Sequence, residues 1–329
     1  MRLLYANDKP GTHAPSWYHD TCDIPARSRL ERHLDVDVAI VGAGFTGLSA
    51  AREIARRGLS VVVLDAHRIG WGASGRNGGQ LGSGYNQSQT ELEALLGHAH
   101  AHRLWDMSEA AKSDIRDIGR ESGVDLEYQG GIVHAIHRRR ELGAMHDYVK
   151  TLKRNYHYDA IEPLSQSQCR ALVRSEDYVG GAIDHGAAHI HPLKLCLALA
   201  TLAEKRGAII HEQSEVVRIN HVASSSRLRV ITANGSVSAS RVLLAGNGYL
   251  DTPYPDEQIT SFNKHVMPIN NFIVVTEPLG ERATELLPEN NAVADSRFVV
   301  RYFRRLKDSR LLFGGGENYS YHFPNNISQ

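Results

Sequence analysis

One run of residues limits the fold more than any other. Val36-Asp37-Val38-Ala39-Ile40-Val41 leads directly into Gly42-Ala43-Gly44-Phe45-Thr46-Gly47. The first six residues are mostly β-branched and apolar, as in a buried parallel strand. The next six form the G-x-G-x-x-G turn that carries a strand into a helix. Its first glycine makes the tight turn, its second lets a pyrophosphate approach the backbone, and its third lets the helix pack close to the strand. Helical spacing follows over Gly47 to Arg57, with Leu48, Ala51, Ile54 and Ala55 on one face and Gly58 as the stop. Ser60 to Leu64 is a second apolar strand, and the three pieces make a βαβ unit. A dinucleotide's pyrophosphate sits at the positive N-terminus of such a helix. Asp65, at the end of the second strand, stands where a carboxylate accepts from ribose hydroxyls and repels a 2′-phosphate. The chain therefore reads as a dinucleotide binder, with NADP disfavoured.

Residues 70–84 hold seven glycines. Glycine content alone suits a flexible linker, but Trp71, Arg76, Asn77 and Gln80 stand among them. That mixture suits a backbone passing close to a flat ring while its side chains hydrogen-bond it. Helices are expected over Glu91–Arg120, Arg140–Arg154 and Pro192–Arg206, and strands over Gly131–Ile136, Ala208–His211, Glu215–Ile219 and Arg241–Ala245. Asn234-Gly235 reads as a hairpin turn. Dinucleotide-type elements thus recur at 190–248. The expected fold class is α/β, with an irregular surface arm over 1–35 and a Rossmann-like domain from 36–85 and 186–250. An inserted, discontinuous substrate domain of sheet plus helices (α+β) would span 86–185 and 251–329.

Composition excludes several partners. Lys plus Arg is 37 and Asp plus Glu is 37, so no positive excess exists for nucleic acid. The three cysteines are far apart and form no CxxC pair, which suits a reducing compartment. The N-terminal residues lack the apolar stretch of a secretory signal. The most apolar segment, Val36 to Ala55, is broken by Asp37, Arg52 and Glu53, so no membrane span is expected and the location reads as cytoplasmic. Among 18 histidines, the pairs His98/His102 and His189/His191 lack the further ligands a metal needs, and no metal is expected. His189 and His191 stand as candidates for the active site and, equally, for a paired structural role. Arg138-Arg139-Arg140 and Arg304-Arg305 read as solvated faces.

Four segments together carry a resemblance: DVAIVGAGFTGLSAAREIARRGLSVVVLDA, RIGWGASGRNGGQ, IDHGAAHIHPLKL and VLLAGNGYL. They resemble the D-amino-acid-oxidase-type FAD-dependent oxidoreductases, nearest the branch that oxidises gamma-glutamylputrescine. The resemblance implies that Gly42, Ala43, Gly44, Phe45, Thr46, Gly47, Asp65 and Ala66 hold the ADP part of FAD. It places Ser74, Gly75, Arg76, Asn77 and Gly78 along the pyrophosphate and isoalloxazine, Val216 at the adenine, and Ala245 and Gly246 near the cofactor. Asp65 departs from the family's frequent Glu by one methylene. The implied reaction takes a small-molecule amine and O2 to an aldehyde, ammonia and hydrogen peroxide, with FAD non-covalent because Gly72 to Gln80 holds no His or Cys. A sarcosine- or glycine-type amine, or an amino acid, stays open as substrate, and an NAD-linked dehydrogenase is disfavoured by GASGRNGGQ. No catalytic residue is named, because an amine that enters neutral needs no protein acid or base. Family members continue with a further strand, Gly-rich turn and helix facing the flavin. Without that segment the chain reads as truncated at its C-terminus, with weak FAD affinity, low stability and little activity expected. A non-catalytic remnant is the reading from another class.

Overall fold

The structure is a computed structural model that describes residues 3–5, 9, 11–222, 225–250, 266 and 268–318. Parts of the expected arm and of the expected substrate segment 251–329 lie outside the described residues.

The strand read from VDVAIV runs over His33–Val41 and sits near the middle of a six-stranded sheet. In space the order is Ile209–His211, Val61–Leu64, His33–Val41, Ser236–Leu244, Leu228–Ile231 and Arg218–His221. The first four strands are parallel and the last two pair antiparallel, closing the hairpin around Asn234-Gly235. Ile40 lies opposite Val63 on one side and Leu243 on the other. All four residues of Val61–Leu64 are buried, as a strand covered on both faces requires. The helix Phe45–Arg56 lays Leu48, Ala51 and Ala55 against the helix Pro192–Lys205, in a core that also holds Ile40, Val63, Leu195 and Leu199. Each fully buried leucine there contributes about 1.5–3 kcal/mol.

A second, mixed sheet has the spatial order Asn270–Val275, Leu311–Asn318, Tyr302–Arg305, Ala292–Asp295, Gln129–Ile136, Gly180–His189 and Gln80–Leu81. Ile161–Leu164 also pairs with Gly180–His189. The Gly-rich segment is the bridge: it leaves the first sheet after Leu64 and enters the second at Gln80. This gives the α/β class, with two mixed sheets and helices.

Several elements differ from the sequence reading. The long helix expected over Glu91–Arg120 is two helices, Gln89–Leu96 and His98–Ser122, because Gly97 takes φ 79°, outside the helical region. The strand expected from Glu215 begins at Arg218, and Arg241–Ala245 is the end of the longer strand Ser236–Leu244. The arm is more than a surface strap. It contains the short helix Trp17–Asp20 and buries Tyr18 and Leu30. The Tyr18 hydroxyl donates to the Asn77 carbonyl at 2.7 Å, and the Trp17 indole donates to Asp308 at 2.8 Å.

Candidate cofactor site

At Gly42 and Gly47 the turn leaves no room for a Cβ. Gly42 adopts φ 108°, and a Cβ there would lie 2.6 Å from the Ala245 carbonyl oxygen. At Gly47 a Cβ would lie 1.9 Å from the Gly42 carbonyl oxygen. Gly44 caps the helix Phe45–Arg56 with no side-chain hydrogen bond, so the first helical amides are left to other acceptors. The Ser74 hydroxyl takes one of them, accepting from the Phe45 amide at 3.1 Å. Strand end, turn and Gly-rich loop therefore converge on one helix N-terminus.

Nine expected cofactor contacts line one open cleft of about 770 Å³: Gly42, Ala43, Gly44, Asp65, Ala66, Ser74, Val216, Ala245 and Gly246. Phe45, Thr46 and Gly47 stand behind the turn on the helix, while Gly75, Arg76, Asn77 and Gly78 continue the loop towards the second sheet. Asp65 accepts from the Ala43 amide at 2.7 Å through one oxygen and from the His67 amide at 2.8 Å through the other. Each carboxylate oxygen keeps a lone pair for a further donor. Burial raises the Asp65 carboxyl above its ordinary pKa, opposed by those two amide hydrogen bonds and by nearby His67.

His67 was not anticipated. Its ring stacks on Trp71 with centroids 3.7 Å apart, donates from Nε2 to the Leu4 carbonyl and accepts at Nδ1 from the Gly11 amide. Trp71 in turn donates to the Thr12 carbonyl at 2.8 Å and carries the Arg76 guanidinium 4.9 Å above its ring. Leu4 and Glu215 also line the cleft, and the Tyr5 hydroxyl donates to Glu215. The one sequence signal for His67 was its place two residues beyond the strand-end acid.

The loop beyond Ser74 is braced from within. The Asn77 amide donates to the carbonyls of Ala73 and Ser74 at 3.0 and 2.9 Å, and its oxygen accepts from the Gly79 amide at 2.8 Å. A Cβ at Gly75 would meet the Gly70 carbonyl oxygen at 2.0 Å, and one at Gly70 would press on Leu193 and Cys196 of the helix Pro192–Lys205. The loop is packed against the core; it does not behave as a linker.

His189 and His191 do not line this cleft. His191 caps the helix Pro192–Lys205: its Nδ1 accepts from the Lys194 amide, and its Nε2 meets the Thr21 hydroxyl at 3.0 Å. His189 accepts at Nδ1 from Arg304 and donates from Nε2 to the Asn290 carbonyl. Burial, then nearby cations, push His189 down to about 4 and His191 down to about 3 from the ordinary 6.5. With folded values below unfolded ones, the unfolded chain binds more protons through this window. Their contribution to stability is full above about pH 6.5 and is lost as pH falls towards 4 and then 3. Thermal melts from pH 7 down to pH 4.5 should show a falling midpoint. A double variant, His189→Asn with His191→Asn, should show a shallower fall; an equal slope would refute the assignment.

Arg304 corrects the reading of Arg304-Arg305 as a solvated pair. On the strand Tyr302–Arg305 adjacent side chains take opposite faces. Arg304 is 2% exposed, while Arg305 is half-buried and donates to the Thr284 hydroxyl. Among the described residues no three His, Cys, Asp or Glu side chains gather as a metal site, and no helix is long and apolar enough to cross a membrane.

A family model described as FAD dependent oxidoreductase (DAO) matches residues 37–328. The chain belongs to the DAO family of FAD-dependent oxidoreductases. This oxidoreductase is 38% identical over 314 residues to a probable oxidoreductase, OrdL, of Rhizobium meliloti, covering 95% of the chain and 72% of that protein. It is 34% identical over 319 residues to the gamma-glutamylputrescine oxidoreductase of Escherichia coli, covering 96% and 73%. Its fold matches the crystal structure of glycine oxidase from Geobacillus kaustophilus with TM-score 0.68 at 20% identity, over 88% of this chain and 73% of that one. The residues present suit the family's cofactor: a glycine turn, a helix N-terminus and a strand-end carboxylate meet in one open cleft.

Proposed function

We propose that this FAD-dependent oxidoreductase oxidises a small-molecule amine of the gamma-glutamylputrescine kind to an aldehyde, with ammonia and hydrogen peroxide as the other products. The observation that carries this reading is the 34% identity, across 96% of the chain, with a gamma-glutamylputrescine oxidoreductase. Bound FAD would supply the redox chemistry, accepting a hydride equivalent from the carbon that bears the amine and passing its two electrons to O2, while water converts the resulting imine to aldehyde and ammonia.

The chain's own residues bind and orient. Gly42, Ala43 and Gly44 would form the turn that brings the pyrophosphate to the helix N-terminus, with Phe45, Thr46 and Gly47 setting the helix behind them. Asp65 and Ala66 would meet the ribose, and Val216 the adenine through its backbone. Ser74, Gly75, Arg76, Asn77 and Gly78 would run from the pyrophosphate along the ring, with Ala245 and Gly246 opposite. In this reading residues 36–85 and 186–250 form the FAD-binding domain, and residues 86–185 with 251–329 form the substrate domain. An amine that enters neutral needs no protein acid or base, so the protein's work is placing the reacting carbon and excluding water. The free cysteines Cys22, Cys169 and Cys196 support a reducing, cytoplasmic setting.

Among the described cleft residues His67 is the sole His or Cys, and both of its ring nitrogens are engaged. FAD should therefore be non-covalent: acid precipitation should leave the yellow colour in the supernatant, and colour in the pellet would refute this. Peroxide release should be fastest with gamma-glutamylputrescine in a panel that includes putrescine, sarcosine and glycine. A preference for sarcosine or glycine would overturn the substrate assignment and keep the cofactor one.

A further inference from the structure

Arg304 holds a position that neither the cofactor cleft nor the fold alone explains. Its Nε donates to the Gly78 carbonyl at 2.8 Å. One terminal nitrogen donates to the Ile190 carbonyl at 2.9 Å and to the Tyr18 hydroxyl at 3.0 Å, and the other to His189 Nδ1 at 3.2 Å. These acceptors come from the Gly-rich loop, the turn before the helix Pro192–Lys205 and the N-terminal arm. All four are neutral. Among the described residues Arg304 forms no ion pair, although it is 2% exposed. A guanidinium stays protonated in proteins, and a buried charge without a counter-charge is costly. Its hydrogen bonds occupy four of the five N–H donors and leave the positive charge in place. The buried fork is also too enclosed to bind substrate directly. What it borders is Gly78, the far end of the loop segment assigned to the isoalloxazine.

We propose that Arg304 is a positioning residue of the flavin wall: its guanidinium fixes the Gly78 carbonyl, and its unneutralised charge favours the two-electron-reduced, negatively charged flavin over the neutral oxidised one. This rests on the reading of Ser74 to Gly78 as the segment beside the ring. The principle is electrostatic: a preorganised positive charge in a water-poor site stabilises negative charge that develops there. His189 is held neutral against Arg304 and supplies no opposing charge.

The test is the two-electron reduction potential of bound FAD, measured by dye equilibration in the parent, Arg304→Lys and Arg304→Met proteins after flavin content has been measured. The Met variant loses the charge. At a fixed potential its ratio of reduced to oxidised flavin should fall about tenfold, a potential lower by about 30 mV. The Lys variant keeps the charge and loses the planar fork, so its ratio should stay within about threefold of the parent. A Met variant that holds FAD and titrates within twofold of the parent overturns the proposal. If the Met variant does not fold, the Lys variant decides: a tenfold fall with the charge still present overturns it, and a near-parent value supports it. Absence of FAD from the parent protein would strike the cofactor reading itself, which the flavin content records separately.

Discussion

Gly44→Val should yield a folded protein without flavin. Gly44 has φ −88° and ψ −172°, extended backbone open to any residue, so valine strains nothing there. Its Cβ would lie 2.8 Å from the Ser74 hydroxyl, the far end of a short side chain that can rotate away by giving up its hydrogen bond from the Phe45 amide. The fold is therefore spared, while in the proposed placement of FAD the branched side chain fills the space through which the pyrophosphate reaches the helix N-terminus. Losing two charge-assisted hydrogen bonds, each worth about 1.5–3 kcal/mol, should weaken FAD binding by roughly 100-fold or more. Circular dichroism should match the parent and visible absorbance should vanish. A yellow Gly44→Val protein would contradict the placement of the diphosphate. Gly47→Ala is a different experiment: its Cβ would meet the Gly42 carbonyl at 1.9 Å, so the fold itself should suffer.

The largest stability loss should come from Asp184→Ala in the second sheet. Asp184 is 1% exposed and accepts four hydrogen bonds. One oxygen receives the Ser83 hydroxyl at 2.6 Å, and the other receives the Tyr158 hydroxyl at 2.5 Å with the Gly186 and Ala187 amides. Lys112, also buried, donates to Ser83 at 2.5 Å and pairs with Glu109 at 2.8 Å. Alanine removes the acceptor and the negative charge together, leaving the Ser83, Tyr158, Gly186 and Ala187 donors without it. The cost should be about 3–5 kcal/mol, a midpoint lower by roughly 10 °C. Asp184→Asn keeps the volume and one acceptor, so it should lose less. Equal melting of the alanine variant and the parent would show that the network is not structural.

The strand, turn and helix at 36–57 were legible because three independent signals coincide there: a β-branched run, glycines at fixed spacing and helical periodicity. The loop at 70–80 was legible in kind, through Trp71, Arg76 and Asn77 among the glycines, but its bracing depends on Asn77 closing on Ala73, Ser74 and Gly79. The break at Gly97 is not legible, because apolar spacing continues across it from Leu92 to Leu104 and periodicity does not register one backbone dihedral. Arg304 and Arg305 looked alike as charges. Strand alternation separates them, burying one and half-exposing the other. Thr21, which meets His191, and Arg304 and Asn290, which meet His189, lie over a hundred residues away. No local spacing reveals such contacts.

Amine oxidation by FAD held in this cleft is tested most directly by anaerobic titration of the flavin-loaded protein with gamma-glutamylputrescine. The long-wavelength flavin absorbance should bleach in proportion to added amine. It should return on admission of air, with one hydrogen peroxide per flavin reoxidised. A flavin band unchanged by gamma-glutamylputrescine, putrescine, sarcosine and glycine alike would contradict the account.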